Sequence, residues 1–237
     1  MGVITKAVLL AAGRGTRMRE LTSDIPKPML VVRGRPILQH IIDGMRDAGV
    51  REVLIVVGWR ADVVRDFFGD GANVGVRVEY TTQVVQDGTG KVVELARDFC
   101  GADPFLLSYG DILVEPSNYH RLAFPTDDVE AIISVKRNED VSKGGAVFVN
   151  ERFEMTDLRE KPQPGEPTSP WYNAGIYMFR PSIFDFTAKL QRSPCGEFEL
   201  TDAIRDLAFS GQKVQELELT GDWADVRDPE VLAQLNG

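Results

Sequence analysis

The sequence predicts an α/β protein built on a Rossmann-like mixed, mostly parallel sheet flanked by helices. Two observations carry this. Over the first ~115 residues, short apolar runs ending at glycine or a carboxylate alternate with amphipathic stretches, the β-α-β order of a parallel sheet. Further on, apolar and polar residues alternate more than before, as in antiparallel strands.

The elements follow in order. Residues 6–12, KAVLLAA, form a short buried strand that ends at glycine. Residues 36–49 form a helix with proline at its start and glycine at its end. EVLIVVG, residues 52–58, is the second buried strand, followed by a helix over 60–68 and a strand over 76–81. Residues 89–99 form an amphipathic helix. PFLLSYGD, residues 104–111, is a strand that ends on a carboxylate. Residues 129–136, 146–149 and 152–159 read as antiparallel strands. KPQPGEPTSP, residues 161–170, is rich in Pro and Gly, shows no core pattern and is expected to be an exposed, mobile loop. A strand over 173–179, helices over 181–190 and 200–209, a short strand over 214–219 and the segment 229–235 complete the chain.

Composition narrows the function. A net charge of -9 argues against nucleic acid or an anionic membrane as partner. No apolar run reaches the ~20 residues of a membrane-crossing helix. MGVITKAVLLAAG lacks the build of a signal peptide. Cys100 and Cys195 are too few and too far apart for a disulfide framework or a thiolate metal site, which fits a reducing, cytoplasmic setting. The two histidines, His40 and His120, leave no Ser-His-Asp, HExxH or multi-histidine zinc signature. A metal here needs oxygen ligands, which favours Mg²⁺.

Within this acidic chain, residues 14–35 carry six basic side chains (Arg14, Arg17, Arg19, Lys27, Arg33 and Arg35) against only Glu20 and Asp24. They lie on and after Gly13-Arg14-Gly15-Thr16-Arg17, directly beyond the first strand. Glycines let backbone N–H groups approach phosphate oxygens, and arginine adds bidentate charge. A bare Gly-x-Gly is also any tight strand-to-helix turn. It is neither a Walker A loop nor a dinucleotide fingerprint. Prolines on both sides of Lys27 stiffen the backbone that presents it.

The run LAAGRGTRM…PKPM resembles the signature of the sugar-1-phosphate nucleotidylyltransferases, the nucleotide-sugar pyrophosphorylases, and the likeness extends over almost the whole chain. It implies the nucleotide-diphospho-sugar transferase fold. It also implies one nucleotidyltransferase domain over 1–237, with a nucleotide-binding half at 1–115 and a sugar-phosphate-binding half at 116–237. Leu10, Ala11, Ala12, Gly13, Gly15 and Thr16 would contact the nucleotide, with Arg17 and Lys27 as the catalytic cations. In QVVQDGT, Gln83, Gly88 and Thr89 match the positions that read uracil or thymine. A Gln amide offers both the donor and the acceptor that the imide edge requires. Gly90-Lys91 stands where relatives continue with Ala. Asp111 matches a Mg²⁺ ligand in the Gly-Asp motif; a helix cap is its plain alternative. Asp225 matches the second Mg²⁺ ligand in W-x-D-V, although Arg227-Asp228 replaces the usual Gly-Thr.

On the sugar side the resemblance assigns Glu160 to sugar hydroxyls and Lys161 to the sugar phosphate. It assigns Asn173 and the backbone of Gly145, in the Gly144-Gly145 pair, to the sugar. Glu197-Phe198-Glu199-Leu200-Thr201-Asp202 resembles the family's helix entry and reads mainly as a capped helix start, though the resemblance also places an acidic residue of this stretch near the sugar.

The implied reaction is in-line attack of a sugar 1-phosphate on the α-phosphate of UTP or dTTP. The nucleophile is already anionic, so positioning and charge neutralisation suffice without a general base. Within the same fold, a cytidylyl- or guanylyltransferase acting on phosphocholine, a phospho-polyol, or mannose or heptose phosphate is the alternative. A non-catalytic nucleotide-sugar sensor is the reading from another class. The chain is most similar to the small hexose- or N-acetylmuramate-1-phosphate uridylyltransferases, without the left-handed β-helix extension of bifunctional relatives. Its expected partners are a nucleoside triphosphate and a sugar 1-phosphate, and its expected state a monomer or small homo-oligomer.

Overall fold

The computed structural model describes residues 2–193 and 196–237, so Cys195 lies outside the described residues. The strands in chain order are β1 (Lys6–Ala11), β2 (Val31–Val32), β3 (Arg35–Pro36), β4 (Glu52–Val57), β5 (Arg77–Thr82), β6 (Phe105–Tyr109), β7 (Ile112–Val114), β8 (Ala131–Arg137), β9 (Gly145–Val149), β10 (Met155–Glu160), β11 (Trp171–Phe179), β12 (Val214–Glu218) and β13 (Trp223–Asp225). The helices are α1 (Ile37–Asp47), α2 (Ala61–Phe68), α3 (Thr89–Glu94), α4 (Arg97–Cys100), α5 (Ser117–Ala123), α6 (Ile183–Thr187), α7 (Leu200–Phe209) and α8 (Pro229–Asn236).

The chain folds as two compact units. One comprises Gly2–Gln86, Phe105–Phe124 and Thr220–Gly237; the other comprises Asp87–Pro104 and Pro125–Leu219. In the first unit β1 pairs in parallel with both β4 and β6, and β4 pairs in parallel with β5. Strands β1, β4 and β6 are apolar because both faces are covered: Ala7, Val8, Leu9, Val53 to Val57 and Phe105 to Leu107 are all buried. Helix α1 buries Ile37, Leu38, Ile41, Ile42 and Met45, the i, i+4 stripe its sequence sets out.

In the second unit β8 and β11 pair antiparallel, as do β9 and β10. β12 joins β8 in parallel. Strand β11 is buried along its whole length and β8 from Ala131 to Val135, so this antiparallel pair is also covered on both faces.

Several expectations are corrected. The helix expected over 89–99 is two, α3 and α4, parted at Leu95 and Ala96. The helix expected over 181–190 shortens to Ile183–Thr187. Helix α5, the β2–β3 hairpin and the 3-10 helix Thr16–Thr22 carried too little periodicity to be read. Residues 161–170 form an exposed loop, Pro162 and Ser169 aside, as expected from their composition.

Candidate functional site

Parallel pairing fixes where the first unit concentrates its chemistry. Ala11 lies opposite Val57, Val57 opposite Thr82 and Leu10 opposite Tyr109, so four strands end on one edge. The Gly13 loop, Gln83 and Asp111 all leave from that edge, where ligands of open parallel sheets bind.

Leu10 is half-buried on β1 and its carbonyl accepts from Gly110 N at 3.0 Å; Ala11 and Ala12 are buried. Gly13 and Thr16 are exposed, and Arg17 is exposed beside them. Gly15 has φ 67, and a Cβ there would lie 2.8 Å from Lys27 Cβ. The glycine loop and Pro26-Lys27-Pro28 are therefore packed on each other. Pro26 is extended and Lys27 opens a one-turn 3-10 helix, so its side chain is only 13% exposed.

Lys27 Nζ forms an ion pair with Asp111 Oδ2. Asp111 is followed by strand β7 rather than a helix, so it is no cap. Strand β13 pairs antiparallel with β7, setting Asp225 opposite Ile112, and Val226 N donates to Asp111 O at 3.0 Å. The two aspartates, one from the middle of the chain and one from near its C-terminus, meet at one short ribbon. Burial, then the Asp111 charge, pushes the Asp225 carboxyl up to about 6, against the pull of Lys27, Arg227 and Arg17. Asp228 is the N-cap of α8, its Oδ1 accepting from Val231 N at 3.0 Å.

A divalent cation fits this chemistry. The Asp111 charge is felt at the partly buried Asp225 carboxyl, and both residues offer oxygen donors. Among the described residues no group of three or more His, Cys, Asp or Glu is gathered. Asp111 and Asp225 alone would leave the remaining positions to substrate oxygens and water, which suits Mg²⁺.

Gln83 continues β5, its backbone N donating to Val57 O at 2.8 Å, and is exposed to an intermediate degree. Gln86 was not singled out by sequence, yet its Nε2 donates to Ala12 O at 3.3 Å and ties the two loops. Arg14 lies 5.6 Å from the centroid of the Trp59 ring. Arg227 Nε lies 3.7 Å from Asp225 Oδ2. Only the departure from Gly-Thr pointed to Arg227; nothing in the local pattern pointed to Gln86 or Trp59.

The second unit gathers the expected sugar-side residues. Gly145 pairs with Glu160 across β9 and β10, and Lys161 N donates to Gly144 O at 2.6 Å. Lys161 has φ 42, a left-handed turn that sets its Nζ 3.5 Å from Glu160 Oε1. A Cβ on Gly145 would meet Asn173 Cβ at 3.1 Å, so the glycine backbone and Asn173 are neighbours. Glu199 is 8% exposed. Its carboxyl is pushed up by burial and by Glu160, against the pull of Lys161. Gly88 and Thr89 belong to this unit, packed against Phe198 and Leu200.

A glycine loop at the carboxyl edge of parallel strands, with Lys27 ion-paired to Asp111 and the Asp111 charge felt at Asp225, offers both cations and carboxylates to a phosphate ligand. The chain belongs to the nucleotidyl transferase family, whose sequence profile matches residues 6–236. It is 32% identical to the UTP--glucose-1-phosphate uridylyltransferase AglF of Haloferax volcanii, over 95% of this chain and 92% of that protein. It is 31% identical to a glucose-1-phosphate thymidylyltransferase of Streptomyces griseus, over 98% of this chain and 65% of that one. The chain spans only 51% to 65% of the length of several curated relatives, among them the bifunctional protein GlmU of Methanococcus maripaludis and Agl11 of Haloferax volcanii. The solved structure of a UDP-glucose pyrophosphorylase complexed with UDP-glucose superposes with a TM-score of 0.88 at 23% identity, covering 98% of this chain and 97% of that one. The shared architecture is the nucleotide-diphospho-sugar transferase fold.

Proposed function

We propose that the protein joins a nucleoside triphosphate, UTP or dTTP, to a hexose 1-phosphate, releasing pyrophosphate. One observation carries the reading: Asp111 and Asp225 share one ribbon with Lys27 ion-paired to the first and Arg17 acting on the second, beside the glycine loop. A polyphosphate with a hard cation is the ligand that satisfies such a mixed cluster. Family membership and the names of relatives that use UTP or thymidylyl donors with glucose 1-phosphate support the substrate classes.

In this reading an oxygen of the sugar 1-phosphate attacks the α-phosphorus. The new P–O bond forms as the bond to the β-phosphate oxygen breaks, and pyrophosphate departs with that electron pair. The attacking oxygen carries no proton at neutral pH, so no base is required. Gly13, Gly15 and Thr16 place the phosphates, Arg17 neutralises the departing β- and γ-phosphates, and Lys27 neutralises the α-phosphate. Mg²⁺, when bound by Asp111 and Asp225, supplies further neutralisation of the same charge. Gln83 with Gly88 reads the base. Lys161 orients the sugar phosphate, and Glu160, Asn173 and the Gly145 backbone orient the sugar.

The test is pyrophosphate release with Mg²⁺ over a grid of UTP, dTTP, CTP, GTP and ATP against hexose, N-acetylhexosamine, N-acetylmuramate and heptose 1-phosphates and phosphocholine. Release with UTP or dTTP and a hexose 1-phosphate is expected. Release only with CTP or GTP would reassign the base. Nucleotide binding without any release would make the protein a sensor.

A further inference from the structure

Helix α7 begins with an anomaly. Its N-cap is Glu199, extended at φ -85 and ψ 130, and the Glu199 side chain makes no capping bond. Glutamate is a poor N-cap, whereas Ser, Thr, Asp and Asn cap well because their short side chains reach back to the first turn. An uncapped α7 would leave its first N–H groups without partners. The Leu200 N–H is instead accepted by Thr89 Oγ1 at 3.1 Å, a hydroxyl from the distant turn that precedes α3.

That turn is stitched to the same segment by backbone. Phe198 N donates to Asp87 O and Gly90 N donates to Phe198 O, each at 2.8 Å. Gly88 has φ 115, and a Cβ there would run into the Phe198 backbone, so no other residue allows so close an approach. The Phe198 ring is held by Lys91 and Arg192, whose cations lie 5.0 and 4.7 Å from its centroid. Three hydrogen bonds and a close backbone contact thus join residues 87–90 to residues 198–200. The consequence falls on Glu199. Relieved of capping, its carboxylate is buried in the field of Glu160 and Lys161.

We propose that Thr89 is a positioning residue for Glu199: its hydroxyl caps α7 in place of the glutamate's own side chain, so that the Gly88-Thr89 turn holds the sugar-side acid in place. The inference rests on the function proposed above, and it gives Thr89 a role beyond touching the nucleotide. Lys91, which departs from the alanine of relatives, belongs to the same clasp through Phe198.

The experiment is steady-state kinetics on Thr89→Val and Thr89→Ser, with both substrates varied using the best pair of the grid. Valine keeps the shape and removes the acceptor; serine restores it. Thr89→Val is expected to raise the KM for the sugar 1-phosphate roughly 5- to 10-fold. The KM for the nucleotide should rise by a smaller factor than that for the sugar 1-phosphate, and Thr89→Ser should return both toward wild type. The double variant Thr89→Val/Glu199→Gln should show the sugar KM of Glu199→Gln alone. Thr89→Ala, with less bulk at the contact, replaces valine if that variant does not fold. A rise confined to the nucleotide KM, or additive losses in the double variant, would overturn the proposal. A wild type that releases no pyrophosphate removes the functional reading and the positioning role together, whereas an active wild type indifferent to Thr89→Val removes the positioning role alone.

Discussion

Gly15 has two independent reasons to be glycine, its positive φ and the Lys27 side chain against its Cα. The glycine loop and the Pro-Lys-Pro turn are therefore one device, although eleven residues part Gly15 from Lys27 in sequence. Gly15→Ala is expected to displace Lys27 from Asp111, lowering kcat ~10-fold or more while circular dichroism stays native. An unchanged kcat would detach the loop from the catalytic lysine. Arg17 is exposed, so its removal should spare the fold. Arg17→Ala is expected to lower kcat by roughly 10²-fold with the melting temperature unchanged. Near-normal turnover would take Arg17 out of the site.

Among elements, the β7–β13 ribbon decides most. A strand of three residues has little stability of its own, so β13 needs a latch. Asn118 provides it from α5. Its Nδ2 donates to Thr220 O at 2.9 Å and to Glu115 O at 3.0 Å, and its Oδ1 accepts from Thr220 N at 3.1 Å. Asn118 is fully buried, so losing its side chain strands backbone groups away from water. Asn118→Ala is expected to cost about 2–4 kcal/mol and to raise the Mg²⁺ concentration for half-maximal activity, because Asp225 loses its register against Asp111. Denaturant unfolding and a Mg²⁺ titration read the two effects. A destabilised variant with an unaltered Mg²⁺ requirement would show that the latch serves stability alone. The ribbon was hard to read in sequence because each strand is too short to show a period, whereas the Asp228 cap and its proline were plain from local chemistry.

At the scale of the whole molecule, one buried acid sets a pH dependence. Glu216 on β12 is 4% exposed, and neither carboxyl oxygen finds a hydrogen-bond partner among the described residues. Burial, against a pull from its own backbone N–H and with a smaller push from Glu154, raises it from 4.5 to about 9. The folded protein therefore holds a proton that the unfolded chain releases. The stability this gives is complete below pH 4.5 and is lost progressively as pH rises toward 9, at ~1.4 kcal/mol per pH unit. Glu216→Gln is expected to be more stable than wild type by roughly 2–4 kcal/mol near neutral pH and to lose most of the slope between pH 5 and 8. Chemical denaturation at several pH values checks this; parallel slopes in the two proteins would place Glu216 in water. The local pattern VQELEL, with Leu217 and Leu219 as its alternating apolar positions, gave no sign that a carboxyl would be buried at 216.

The sequence by itself determined the parallel strands, the turn chemistry at their ends and the residue types offered to phosphate, because each depends on neighbours a few positions away. Apolar runs bury themselves, glycine permits a positive φ, and proline holds the backbone before Lys27. Only the tertiary structure decided which of these residues act on one another. Asp225 stands beside Asp111 because β13 folds back onto β7. Thr89 caps a helix far along the chain. Glu216 keeps its proton because other segments shut out water. Partnership and burial belong to chain segments that meet only when the fold closes, and no local pattern carries them.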